Sequence, residues 1–165
     1  MDDLAAVTGI SKRTIYRYFK SKEEIIVAVM EDLMHGIEKD IRVVVDSTEH
    51  PVEKITGAIG VVLKNIRQIQ PLALHDVQKY YPQLWERVEQ FRAEKIQHIF
   101  EELLVGNGQD SFRKVNPKIF TAALLASIRA VVNPKFIMEN NLSTEETIQF
   151  LFDIFLNGIT MEKQN

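Results

Sequence analysis

The sequence predicts an all-α fold, and three observations carry that prediction. Apolar residues recur at three- and four-residue spacing, strand-like alternation is nowhere sustained, and serines or prolines stand where helices begin. A length of 165 residues suits one domain carrying a small appendage.

From the N-terminus, "MDDLAAVT" reads as a short helix stopped by Gly9. Ser11 caps the next, "KRTIYRYF". Ser21 with Glu24 three residues on is a capping box, opening a helix from Lys22 to about Asp46. Its expected stripe is Ile26, Val29, Leu33, Ile37, Ile41 and Val44. At 1.5 Å per residue it is a rod of roughly 35–40 Å. "STEHP" breaks the chain, and Pro51 suits the first turn of a helix striped by Val52, Ile55, Ile59, Val62, Leu63 and Ile66. Gly57 and Gly60 are expected to weaken it and leave space along one side. Pro71 opens a short segment through Tyr81. Pro82 opens a longer helix striped by Leu84, Val88, Phe91, Ile99 and Leu103, ended by "VGNGQDS". The last two helices, 117–132 and 144–159, are apolar on more than one face, and Ser143 or Thr144 caps the second. A surface helix needs one stripe. The excess predicts either a central position or an oligomer face.

Composition narrows the function classes. Apolar residues are an ordinary 45% and the net charge is −3, so the chain is no bulk polycation. The first 22 residues nevertheless hold Lys12, Arg13, Arg17, Lys20 and Lys22 against Asp2 and Asp3, while the remainder is acidic. A basic patch on an acidic body is a directed surface. With no cysteine, a disulfide framework, thiol catalysis and cysteine-rich zinc sites are excluded. No signal peptide or membrane-length apolar run is found, and a soluble cytoplasmic protein without membrane contact is expected. The four histidines lie far apart without an HExxH, and "GAIG" lacks the GK[ST] ending of a phosphate loop. GxSxG is absent too. No catalytic constellation, metal site or cofactor is expected.

The basic stretch divides by helical spacing. Leu4, Ala5 and Val7 can face a small core, Ile10 can plug the turn, and Ile15, Tyr18 and Phe19 can face inward. Tyr18 is ambiguous, since its hydroxyl can reach the surface. Lys12, Arg13, Thr14, Tyr16 and Arg17 are then wholly or partly outward, on a face that fits a major groove. Arg17 can donate twice to a guanine edge, and Arg13 can do the same or hold a phosphate. Thr14 suits a base or a phosphate, and Tyr16 the backbone. Lys12, Lys20 and Lys22 suit phosphates, which position rather than specify. Ser21 opens a helix whose free amides favour phosphate, and Ser11, the cap of the preceding helix, is counted with the candidate DNA contacts.

With those residues in hand, "LAAVTGISKRTIYRYFKSKEEIIVAV" resembles the helix–turn–helix of the TetR family of bacterial transcriptional regulators. The matching positions are Leu4, Ala5, Gly9, Ser11, Thr14, Ile15, Tyr16, Phe19, Lys22, Glu23 and Ile26. The resemblance implies a partial helix–turn–helix DNA-binding domain over 1–24. It implies a helical ligand-binding and dimerisation domain over 25–165. It further implies a homodimer pairing helices 117–132 and 144–159 as a four-helix bundle, double-stranded operator DNA as partner, and repression relieved by a small effector. Family heads carry one more helix before the one beginning near Asp2, so the usual first helix is expected to be lacking here. Three explanations stay open: a fragment or ordered portion of a longer chain, a start placed at an internal methionine, or a shortened protein with weakened DNA binding. The alternative function is therefore a helical ligand-binding or interaction module.

For a mostly apolar effector the candidate lining is Ile66, Tyr80, Trp85, Val88, Phe91, Leu124 and Ile128, beside Val62 and Leu74. Asn65, Gln68, His75, Gln78, Arg92 and Gln97 are the polar groups available to orient it.

Overall fold

The computed structural model describes residues 1–67, 69–105 and 112–160, without the side chains of 103 and 105. Gln68, the Leu103 side chain and most of the expected break at 105–111 therefore lie outside the described residues. The helices are α1 (Asp2–Thr8), α2 (Lys12–Tyr18), α3 (Lys22–Asp46), α4 (Pro51–Ile66), α5 (Pro71–Tyr80), α6 (Pro82–Val105), α7 (Pro117–Val131), α8 (Pro134–Glu139) and α9 (Thr144–Ile159). No strand occurs among the described residues. An isolated antiparallel bridge joins Phe112 to Thr160, and the Arg113 amide donates to the Ile159 carbonyl at 2.6 Å.

Local chemistry explains the boundaries. Gly9 closes α1 at φ 68°, ψ 11°, a left-handed position that suits a residue without Cβ. Ser11 caps α2 by accepting from the Thr14 amide. At α3 the Ser21 hydroxyl accepts from the Glu24 amide at 3.1 Å. The return bond of the expected capping box lands one residue earlier, on the Lys20 amide at 2.6 Å. Proline occupies the first turn of α4, α5, α7 and α8, where the missing amide costs nothing. Ser143 rather than Thr144 caps α9, in a complete capping box with Glu146. Helix α8 was not expected. Its signal was present in Asn133, whose side chain accepts from the Lys135 amide, followed by Pro134.

The chain divides into two compact units, Met1–Gly36 and Ile37–Asn165, with the boundary inside α3. Among the described residues of the first, only Ile15 and Met30 are buried. Two expectations for aliphatic side chains fail in this unit. Val7 is 86% exposed rather than in a core, and Val29 points outward while Met30, next in the sequence, points in. In an α-helix a shift of one residue rotates the side chain by about 100°, and the stripe runs through Met30 and Ile37.

In the second unit α7 packs against α6, α8 and α9, α4 against α9, and α5 against α6 and α8. The core joins Ile55 of α4, Phe100 of α6, Phe112, then Phe120, Leu124, Ile128 and Val132 on and after α7, and Ile148, Leu151 and Ile159 of α9. Phe120 is its aromatic hinge point. Its ring centroid lies 5.0 Å from Phe100 and 5.5 Å, edge-on, from Phe155. Such pairs add about 0.5–1.5 kcal/mol each beyond area burial. Phe100 is the buried residue of its turn, beside the expected Ile99, which packs at the margin. Gly57 makes no open space either. A Cβ there would run into the Val44 side chain, so this glycine permits close approach of α3 and α4, whereas Gly60 does face open space.

Candidate functional site

The first unit gathers cations on an exposed surface. Ser11, Lys12, Arg13, Tyr16, Arg17, Lys20 and Lys22 are exposed and Thr14 is partly so, while Ile15 of the same helix is buried. One turn of helix thus separates a packing face from an outward one. Several outward groups are already oriented by neighbours. Lys12 pairs with Asp2 across α1 and α2, and its hydrogen bond holds the Asp2 carboxyl below its ordinary value. Both groups are largely in water, so a phosphate can compete for the ammonium. Thr14 and Ser11 share a hydroxyl–hydroxyl hydrogen bond of 2.8 Å.

Arg17 is organised by Tyr18. Its Nη2 donates to the Tyr18 hydroxyl at 3.0 Å, and its guanidinium lies 4.9 Å from the tyrosine ring centroid. Tyr18 therefore does not pack inward as expected; it is among the most exposed aromatic side chains. The reason is local: beside a thin core, a ring gains more from stacking a cation and keeping its hydroxyl bonded.

In the second unit the expected ligand-lining residues separate. Leu124 and Ile128 are buried in the core and Ile66 packs against it. Trp85, Val88 and Phe91 on α6 are partly buried. Tyr80 points outward with the Lys79 ammonium 4.9 Å from its ring centroid. Sequence reasoning singled out Arg92 as a polar group but missed its neighbours. Arg92 Nη1 lies 3.1 Å from Glu89 Oε1, and Arg129 Nε of α7 lies 3.8 Å from Glu89 Oε2. Glu89 and Arg92 are i,i+3 on α6, a legible spacing. Arg129 comes near only by helix packing. Burial pushes the Arg92 guanidinium below its ordinary value, Glu89 opposes that, and Arg129 adds to it. Two buried polar atoms on the facing helices have no hydrogen-bond partner, Arg92 Nη1 and Thr121 Oγ1. Among the described residues no three His, Asp or Glu side chains come together to hold a metal, and no helix is long and apolar enough to cross a membrane.

Helices α7 and α9 also carry an outward apolar face. Ile119 of α7 is exposed, with Ala122, Ala123 and Ala126 beside it. On α9, Phe150 and Ile154 are 67% and 70% exposed.

Known proteins resemble the chain at its N-terminus and along its length. Residues 1–29 match the family model of bacterial regulatory proteins, tetR family. The chain is 28% identical over 167 residues to the HTH-type transcriptional regulator YvaF of Bacillus subtilis (strain 168), covering 99% of this chain and 87% of that protein. It is 27% identical over 168 residues to the HTH-type transcriptional repressor KstR2 of Mycolicibacterium smegmatis, covering 98% and 80%. Two solved structures share the fold. The ketosteroid transcriptional regulator KstR2 of Mycobacterium tuberculosis has a TM-score of 0.57 at 21% identity, over 97% of this chain and 84% of that one. A TetR/AcrR-family regulator of Thermobifida fusca has a TM-score of 0.60 at 22% identity, over 95% and 85%. The N-terminal family match and the two relatives support a TetR-family transcriptional regulator rather than an enzyme, and the two solved structures show the shared fold.

Proposed function

Taking the chain as a TetR-family transcriptional regulator, we propose that it is a cytoplasmic, ligand-responsive repressor binding operator DNA as a homodimer. The observation that carries this reading is the outward face of α2, where Arg13, Thr14, Tyr16 and Arg17 are presented beside Lys12, Lys20 and Lys22. Arg17 and Arg13 read guanine edges, while Lys12, Lys20 and Lys22 hold phosphates. Residues 1–24 are the reading part and 25–165 the regulatory part. Two copies joined through the apolar faces of α7 and α9 present their α2 helices to adjacent major-groove surfaces about 34–36 Å apart, or a multiple of that. An effector, mostly apolar, enters the second unit between α4, α6 and α7, near Ile66, Val88, Phe91 and Ile128. A repressor among the relatives supports the direction of control.

The test is anisotropy titration of a duplex selected from random DNA by the protein itself. Arg17→Ala is expected to lower specific affinity by about 1–3 kcal/mol with the melting temperature unchanged. Equal affinity for mutant and parent at fixed salt removes the groove-reading role.

A second reading is favoured by the thin interior of Met1–Gly36, where Val7 and Ile10 are open to water. In it the chain is a helical ligand-binding or interaction module with weakened DNA binding. Sedimentation of this chain as a dimer, with no salt-dependent DNA binding, selects that reading.

A further inference from the structure

From the arrangement of Glu89, Arg92 and Arg129 we infer that the second unit holds an oxyanion site, which takes the carboxylate or phosphate-ester end of an otherwise apolar effector. The inference deepens the ligand-responsive reading and rests on it only for the consequence at the operator.

Charge is the first argument. Two guanidiniums share one carboxylate, so the cluster retains a positive charge. Arginine stays protonated in proteins, so this charge is not relieved by loss of a proton. Geometry is the second. Arg92 Nη1 reaches ion-pair distance from Glu89 but has no hydrogen-bond partner and no accessible surface. Its ion pair with Glu89 is thus made without an aligned hydrogen bond, so the donor's hydrogen-bonding capacity is unused. An oxyanion offers the two-oxygen face that a guanidinium fork matches.

Position is the third. The Arg129 side chain is 66% exposed and the Arg92 side chain 25%, so the pair grades from solvent to interior. Glu89 lies between them, the group an incoming anion must displace or share. Val88 and Ile96 lie four residues either side of Arg92 on α6, and Ile128 adjoins Arg129 on α7, so the cationic end borders apolar side chains. An internal ion pair alone explains Glu89 and Arg92 but not the second guanidinium or the missing hydrogen bond at Arg92 Nη1.

The probes are decanoate, decyl phosphate, decanol and inorganic phosphate, titrated calorimetrically into the full chain. Decanoate or decyl phosphate is expected to bind about tenfold or more tighter than decanol, the scale of one charge-assisted hydrogen bond. Whichever is tighter distinguishes a carboxylate effector from a phosphate ester. Arg92→Met should abolish that preference without lowering the melting temperature of the unliganded protein. Arg129→Gln, at an exposed position, should weaken it and serves as the second variant should Arg92→Met fail to fold. Equal binding of acid and alcohol, binding of neither, or inorganic phosphate as tight as decanoate overturns the assignment. So does an Arg92→Met protein that melts lower yet keeps the preference, which identifies a purely structural ion pair. Duplex release is scored separately. Anion binding without release leaves the site standing and removes the ligand-response reading. Release by decanol independent of Arg92 does the reverse.

Discussion

The two compact units of this chain are stabilised by different means. Met1–Gly36 buries Ile15 and Met30 and is otherwise shaped by caps, a left-handed glycine and hydrogen bonds near its surface. Ile37–Asn165 is organised around Phe120, Leu124 and Ile128, with α4, α6 and α9 closing over them. A unit that presents its charged side chains outward keeps its chemistry at the surface, and little apolar area is left for its own core. A unit built around burial encloses some of its polar atoms, such as Arg92 Nη1 and Thr121 Oγ1, between packed helices.

The largest expected effect tests that contrast directly. Leu124 has 0% exposure, so Leu124→Ala should cost about 2–5 kcal/mol in urea unfolding, whereas Val7→Ala, in the first unit, should change stability by less than about 0.5 kcal/mol. Similar costs would break the distinction. The glycines of α4 sharpen it within one helix. Gly57→Ala should destabilise by about 1–3 kcal/mol through collision with Val44, and Gly60→Ala should stabilise by roughly 0.5–1 kcal/mol. A shared sign in thermal melts would deny Gly57 its close-approach role.

Smaller again is the cap of α9. Ser143→Ala should cost about 1 kcal/mol. Hydrogen bonds from the Ser143 hydroxyl and amide hold the Glu146 carboxyl below its ordinary 4.5. Because the folded value is the depressed one, this contribution is fully present above about pH 4.5 and is lost as pH falls through the lower folded value. Stability curves of parent and Ser143→Ala should therefore converge on acidification, and parallel curves would contradict the linkage. The smallest effect belongs to the exposed cations of the first unit. Lys22→Ala should weaken all duplexes nearly uniformly and reduce the slope of log affinity against log salt by about 0.9, with no change in melting. A sequence-selective loss would instead make Lys22 a reader of bases.

Much of this was legible beforehand. Gly9, Ser11, Ser21, Ser143 and the opening prolines act on backbone groups within four residues, so their helix starts and stops could be read from the chain alone. Pro134 gave the same kind of signal after Asn133 and was missed because α8 is only six residues long. The outward cations of α2 were readable because helical spacing separates them from Ile15. Tyr18 was not, since whether an aromatic ring packs or stacks depends on how much core lies beside it.

The sequence by itself determined an all-helical chain with caps at named positions, a basic N-terminal face and two terminal helices with surplus apolar surface. Only tertiary structure decided that Met30 rather than Val29 turns inward, that Gly57 yields to Val44, and that Arg129 reaches Glu89 beside Arg92. The physical reason is range. Capping and helical periodicity are local and repeat every few residues, while burial, close approach and the sharing of a charge depend on which helix arrives from elsewhere in the chain.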